Sequence, residues 1–262
     1  MVATRSPIYT LHHNHFSICS IMVRYTVALR GAPQDAASEV PIQEQSVDIF
    51  HEEQLSEHFL TNINPKGQVP VLTSPALPAP IADSMDITRF LAQRYPTLIP
   101  AAHAEEIHAR LDALHALNYF SLSFPGRDHV AQGFKAAVQK RLDDPTISPT
   151  YRDALNYKMS ILERDKIGGL KPGQPELMSE RAHNLLREYE DILPKTEAGG
   201  PWLFGLTQPS ALDAHLVVFV ARMRDVGRAA IVPPVVGDFV DRAMARPEWV
   251  AIMEGRKTMV GN

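Results

Sequence analysis

Asn64-Pro65-Lys66-Gly67-Gln68-Val69-Pro70-Val71-Leu72, followed by Ile81-Ala82-Asp83-Ser84-Met85-Asp86, is the stretch whose reading decides the fold. Pro65 and Gly67 end whatever precedes them, and the Val-Pro-Val-Leu run then reads as a short strand. A proline cannot donate a ladder hydrogen bond, so Pro70 is tolerated at a strand start, where a cis peptide would turn the chain sharply. The N–H and C=O of Val69 are then free to pair with an extended peptide. Further on, Asp83-Ser84 precedes the periodic apolar set Ile87, Phe90 and Leu91, which marks a helix with Ser84 as its cap. A strand edge beside an open helix N-terminus suits a small anionic peptide. The plainer alternative is a strand, a turn and a capped helix with no ligand.

Composition narrows the classes. The 262 residues suffice for one large or two modest domains, and 45% hydrophobic with 21% charged content is that of an ordinary globular protein. A net charge of −4 gives no electrostatic reason to expect nucleic acid or a membrane surface as partner. Cys19 is the single cysteine, which excludes an intrachain disulfide scaffold. No apolar run approaches the roughly 20 residues of a membrane span, and the short polar start, Met1 to Pro7, is unlike a signal peptide. A reducing cytoplasm is the expected compartment.

Outward from the opening stretch, Ile8-Tyr9-Thr10-Leu11 reads as a first strand, broken by His12-His13-Asn14-His15-Phe16. Ser17 opens a helix carrying Ile21, Tyr25, Ala28 and Leu29 on one face, ended by Gly31 and Pro33. Val40 to Ile49 alternates again, giving a second strand through Val47-Asp48-Ile49, and the prolines at 75, 78 and 80 make Leu72 to Ile81 a hairpin candidate. The helix after Ser84 ends near Arg94-Tyr95-Pro96, and residues 96–100 read as a linker. Beyond it the pattern is helical, with helices expected at Ala102–Phe120, Val130–Leu142, Thr150–Lys166, Glu176–Lys195, Ala211–Val226, Pro234–Ala245 and Pro247–Arg256. Ser210-Ala211-Leu212-Asp213 reads as a capping box, and the stripe Leu212, Leu216, Phe219, Val220 and Met223 behind it places that helix at a domain centre.

The Val-Pro edge, the acidic-Ser helix start and the box-and-stripe helix together resemble the cytosolic glutathione transferase superfamily. The resemblance covers nearly the whole chain; residues 126–175 are its longest and most polar departure. It implies an α/β thioredoxin-like N-terminal domain over 1–95 plus an all-α C-terminal helical domain over 101–262. It also implies glutathione as cofactor, a small electrophilic or unsaturated second substrate, and a homodimer. In the family the valine before a cis-proline pairs with the cysteinyl backbone of glutathione, a role that falls on Val69 and Pro70. Asp83 and Ser84 would hold the γ-glutamyl end, Asp83 being a shorter variant of the usual Glu. Gln54 and Gln68 would support the glycyl arm and cysteinyl region, and Lys66 the glycyl carboxylate.

Ser17-Ile18-Cys19-Ser20-Ile21-Met22-Val23-Arg24 is similar to the Ser-Ser-Cys-Ser-x-x-Val-Arg motif of the zeta class, with Ile18 replacing the second serine. By that likeness Ser17 faces the glutathione sulfur, with Cys19 and Ser20 as the second and third choices. The chemistry needs such a group because the thiolate, not the thiol, is the nucleophile. On composition alone Ser17 is equally a plain N-cap, and Cys19 a small buried hydrophobe. His12, His13 and His15 suggest a metal cluster at first sight, but adjacent strand residues point to opposite faces and no complementary ligand lies nearby, so no metal is expected. His13 and His15 are instead candidates for the second-substrate pocket wall, with Tyr119 and Phe124 from the helical half. Arg222 and Arg224 would meet either an anionic substrate or, more commonly for arginine, solvent. The reaction expected is conjugation or thiol-assisted cis–trans isomerisation. The rival is a binding or structural protein that kept the fold without catalysis.

Overall fold

Tyr9–His13 (β1), buried at every position but the half-buried Thr10, lies at the centre of a three-stranded sheet, flanked by Ile42–Ser46 (β2) and Val71–Thr73 (β3). The computed structural model describes residues 7–194 and 200–260. β2 runs parallel to β1 with Tyr9 opposite Ile42 and His13 opposite Ser46, whereas β3 runs antiparallel with Leu11 opposite Leu72. The hairpin candidate is realised as one antiparallel bridge between Leu72 and Ile81. The second strand lies within the expected Val40 to Ile49 but ends at Ser46, short of Val47-Asp48-Ile49. Four of its five residues are exposed, since it is the sheet edge, and Val47 instead packs beneath with Phe59 and Val71.

Ile18–Leu29 (α1) crosses from β1 to β2, as the parallel pairing requires. Ser84–Ala92 (α2) follows β3, and its N-cap is Asp83, not Ser84: the Asp83 carboxylate accepts from Met85 N at 2.8 Å. Asp outranks or matches Ser as a cap, and its longer acceptor reaches the second N–H of the turn. The expected helix Ala102–Phe120 is two helices, Ala104–His115 (α3) and Tyr119–Ser123 (α4). The break is made by Asn118, whose side chain accepts from the N–H groups of Phe120 and Ser121 and caps a new helix without proline or glycine. Asp128–Leu142 (α5) and Pro149–Leu162 (α6) form an antiparallel pair, followed by a π-helical turn over Glu163–Ile167. Gln174–Glu188 (α7) is continued by a 3-10 turn; Lys195, where this helix was expected to end, lies outside the described residues, as do residues 1 and 262 at the ends of the two expected domains. Ala211–Asp225 (α8), Pro234–Met244 (α9) and Pro247–Met253 (α10) complete the chain. Among the described residues no helix is long and apolar enough to cross a membrane.

One large core runs from β1 and α1 into the helices, with α8 at its centre. Leu212, Leu216, Val217, Phe219, Val220 and Met223 are fully buried. Each such side chain contributes roughly 1.5–3 kcal/mol of transfer free energy. The capping box is present, and Asp213 also accepts from Leu203 N at 2.9 Å and Ser210 N at 2.7 Å. Asp213→Ala leaves both buried N–H groups without an acceptor, at about 1–3 kcal/mol each. Urea unfolding is expected to show that loss, with Asp213→Asn, which keeps an acceptor, losing less.

A second apolar cluster matters for the site. Leu55 and Leu60 from the segment after β2 pack against Val138, Tyr151, Leu155 and Leu162 of α5 and α6. Tyr151 OH donates to Leu55 O, and Arg141 pairs with Glu52 at 2.7 Å. Residues 126–175 therefore cover the segment that leads into the Asn64–Val69 turn.

Candidate functional site

The turn is built by Asn64, which is buried: its Nδ2 donates to Gln68 O at 2.8 Å and its Oδ1 accepts from Lys66 N at 3.0 Å. Gly67 adopts φ of +55°, and a side chain there would meet Gln54 O and the Lys158 stem. The Val69–Pro70 peptide is cis. Val69 lies outside the β1–β3 ladder, on the wall of a cavity of about 730 Å³, within the ordinary range of roughly 300–1,000 Å³ for ligand sites. Val69 C=O is not wholly free: Ser17 Oγ donates to it at 3.4 Å.

Ser17 stands at the opposite lip. It is the N-cap of α1, with its Oγ accepting from Ser20 N at 3.3 Å. The loop before it is held by Asn14, whose Nδ2 donates to Val47 O and whose Oδ1 accepts from Phe16 N. Ser20, expected as a third candidate for the sulfur, points away from the cavity and accepts from Asn14 N at 3.2 Å. Its hydroxyl holds the loop. Cys19 does line the cavity, beside Ser84, but burial pushes its thiol up, away from the thiolate that reactivity needs. Cys19→Ala is expected to change turnover by less than about tenfold, or 1.4 kcal/mol; steady-state rates on the variant check it.

Asp83 and Ser84 form the third side, at the mouth of α2. His115, which the sequence reading did not single out, closes this end. Its Nε2 lies 2.7 Å from Nδ1 of His215, whose Nε2 lies 3.0 Å from Thr88 Oγ1. Burial holds His115 neutral, at about 4. The three partners come from distant segments, so no local pattern advertises them.

The fourth side comes from the helical half. Tyr119 and Phe124 are on the wall as expected from the sequence, joined by Phe120 and Phe134. The Tyr119 hydroxyl donates to Leu114 O at 3.0 Å and is thus committed to α3. Gln54 and Gln68 also line the cavity, and Gln54 Oε1 is buried without a partner among the described residues.

Three expectations fail on placement. Lys66 is not on the wall; its carbonyl faces inward and accepts from Lys158 Nζ at 2.7 Å. Lys158, on α6, is almost wholly buried, donates also to Gly67 O at 3.0 Å, and does line the cavity. Burial first, then the charge of Lys166, lowers its ammonium to about 7. His13 and His15 lie outside the cavity, against Arg24 and Glu44 between β1 and α10. Burial and then the Arg24 charge hold His13 neutral, at about 4. The side-chain alternation of β1 turns His13 to the face away from β3's open end. Arg222 is neither solvated nor free for a substrate: it is buried, donating to Phe16 O at 2.7 Å, to Thr258 Oγ1 at 3.1 Å and to the Thr258 carbonyl. It ties α8 to the loop before Ser17. Arg224 pairs with Asp241 at 2.5 Å.

Lys166, in the turn after α6, is a further cation on the wall, which it shares with Lys158 and Arg222. Its Nζ is 4.2 Å from the centre of the Phe120 ring and 5.1 Å from that of Phe134. Burial lowers it to about 8, so it is charged at neutral pH. A solitary lysine in a polar helix reads as solvated, which is why neither Lys158 nor Lys166 stands out in the sequence. Among the described residues no group of three His, Cys, Asp or Glu has a metal-holding arrangement.

No family model matches the chain, and a search of curated proteins finds no match. Solved structures do match. The chain is 16% identical to a glutathione transferase family member from Pseudomonas fluorescens with two glutathione bound, covering 97% of this chain and 95% of that one, TM-score 0.60. A β-etherase from Sphingobium is 19% identical over 94% and 98% of the two chains, TM-score 0.63. A maleyl pyruvate isomerase, a bacterial zeta-class glutathione-S-transferase, is 19% identical over 93% and 95%, TM-score 0.55. At these identities the likeness shows the fold, a thioredoxin-like N-terminal part followed by a helical C-terminal part.

Proposed function

We propose that the cavity binds glutathione and that the protein is a glutathione-dependent transferase or thiol-assisted isomerase acting on a small electrophilic or unsaturated compound. The observation that carries this reading is the apposition of Ser17 Oγ, at the N-terminus of α1, to Val69 C=O across 3.4 Å, beside the mouth of α2. The cysteinyl backbone would lie along Val69, displacing Ser17 Oγ from the carbonyl and releasing that hydroxyl to donate to sulfur. Asp83 and Ser84 would take the γ-glutamyl end. Lys158, with two of its three N–H bonds used on carbonyls, would give the third to the glycyl carboxylate in place of Lys66, while Gln54 and Gln68 flank that arm.

Lowering a thiol by two pKa units from about 8.5 requires about 2.7 kcal/mol. One charge-assisted hydrogen bond contributes about 1.5–3 kcal/mol, and the α1 dipole about 0.3–1 more. In conjugation the sulfur pair forms a C–S bond while a leaving group departs or a π pair collects a proton. In isomerisation the C–S bond forms, the π pair moves onto a conjugated carbonyl oxygen, the single bond rotates, and the steps reverse. The Ser17–Arg24 run, similar to the zeta-class motif, supports the second route. The homodimer implied by the resemblance belongs to the same proposal and is checked by sedimentation.

The test is titration of the protein with glutathione while following ultraviolet thiolate absorbance, then turnover with aryl halides and cis-enones. A thiolate at neutral pH with turnover is expected. Binding with no thiolate would instead favour a non-catalytic protein, and no binding would remove glutathione from the account.

A further inference from the structure

Lys166 has no part in holding glutathione as placed above. Its ammonium rests on the faces of Phe120 and Phe134, half-buried, and its open side is the cavity. Aromatic faces attract a cation but carry no net negative charge. The adjacent Asp165 also lines the cavity and its charge favours the ammonium, but both of its oxygens are taken by Arg164, at 2.6 and 3.0 Å, and it makes no ion pair with Lys166. Among the described residues Lys166 has no hydrogen-bond or ion-pair partner of its own. It shares the cavity wall with Ser17 and Cys19.

The surroundings limit what can sit there. Phe124 packs on Phe120 with ring centres 4.6 Å apart, and Phe134, Val130 and Met259 continue the wall. Such a slab suits a flat apolar body. Lys158, Lys166 and Arg222 lie on this cavity with two carboxylates, Asp83 capping α2 and Asp165 held by Arg164, so what the aromatic end offers a ligand is the Lys166 ammonium, which a neutral ligand would leave partly desolvated without an ion-pair partner.

We propose that the part of the cavity bounded by Lys166, Phe120, Phe124 and Phe134 takes a planar aromatic or conjugated carboxylate, its carboxylate on the Lys166 ammonium and its unsaturated carbon turned toward Ser17. This rests on the glutathione reading for the attacking sulfur, though the ligand's charge and shape do not depend on it.

Calorimetric titration of the full chain with trans-cinnamate and with its neutral isostere cinnamamide tests the proposal, each with and without saturating S-methylglutathione. The acid is expected to bind at least about tenfold more tightly than the amide, as a charge-assisted pair supplies. Lys166→Met is expected to remove that preference and Lys166→Arg to keep it. Equal binding of acid and amide by the unaltered protein would overturn the proposal, as would binding of neither, or a preference that survives Lys166→Met. The comparison on the unaltered protein stands even if Lys166→Met does not fold. Failure of S-methylglutathione to bind, with the acid preference and its Lys166 dependence intact, would instead remove glutathione and leave this inference standing.

Discussion

Ser17→Ala is expected to abolish most thiolate formation on bound glutathione at neutral pH while leaving glutathione affinity within a few-fold. The hydroxyl donates to Val69 C=O at 3.4 Å and accepts from Ser20 N at 3.3 Å. Occupation of that carbonyl by the peptide frees the donor, and it has one natural acceptor nearby, the sulfur. Its loss removes about 1.5–3 kcal/mol of charge-assisted stabilisation, a fall of about 10- to 150-fold in thiolate fraction and in turnover below the thiol's pKa. Raising the pH should recover most of the lost rate, because the nucleophile then forms without help. The same substitution costs about 0.5–2 kcal/mol as a lost N-cap, visible in thermal unfolding. Ser17→Thr keeps the hydroxyl and is expected to keep much of the activity. Thiolate absorbance unchanged in Ser17→Ala would show that another group carries the anion.

Lys158→Met is expected to fold and to bind glutathione far more weakly. Replacement by an apolar chain of similar length removes the cost of burying an ammonium but leaves the Lys66 and Gly67 carbonyls without that donor, at about 1–3 kcal/mol each, so a moderate loss in thermal unfolding is expected alongside. In the complex the substitution leaves a ligand carboxylate without its partner, at about 2–5 kcal/mol, or roughly 30-fold to a few thousand-fold in affinity. The pH dependence separates this from general damage. Burial sets Lys158 at about 7, with Lys166 and Asp165 as its charged neighbours. An arriving carboxylate stabilises the protonated form, so above pH 7 binding must take up a proton. The sign follows: affinity for S-methylglutathione, which has no thiol to ionise, is full below 7 and falls by up to about tenfold per pH unit above it. In Lys158→Met that slope should flatten, leaving only the ligand's own amine. Calorimetry across pH 6 to 9 on both proteins makes the comparison.

Much of the architecture was legible because its signals are local. Val69-Pro70, the acidic-Ser helix start and the Ser210–Asp213 box each announce themselves within four residues, and their order along the chain does the rest. The end of β2 is less legible: the alternation from Val40 runs on through Val47 and Ile49, whose side chains pack beneath the sheet after the strand itself has stopped at Ser46. The break at Asn118 was missed because a side-chain cap, unlike proline or glycine, leaves no mark in a helical pattern. The cations escaped for a different reason. Lys158 meets carbonyls more than 90 residues earlier, and nothing near it in the sequence says that α6 lies over the Asn64–Val69 turn. Arg222 did carry a signal, an arginine inside a run of Val, Phe, Ala and Met; a solvated charge there would have faced the core. His13 and His15 were drawn to the cavity by their nearness to Ser17 in sequence, whereas the pleat of β1 and the pull of Glu44 and Arg24 turn them to the opposite side.

A crystal structure of the protein with glutathione bound tests the central claim most directly. The account predicts the cysteinyl N–H and C=O paired with Val69, the sulfur within hydrogen-bond reach of Ser17 Oγ, and the glycyl carboxylate on Lys158 Nζ. A tripeptide lying elsewhere in the cavity, or one whose sulfur points away from the α1 N-terminus while Ser17 still bonds Val69 C=O, would contradict it.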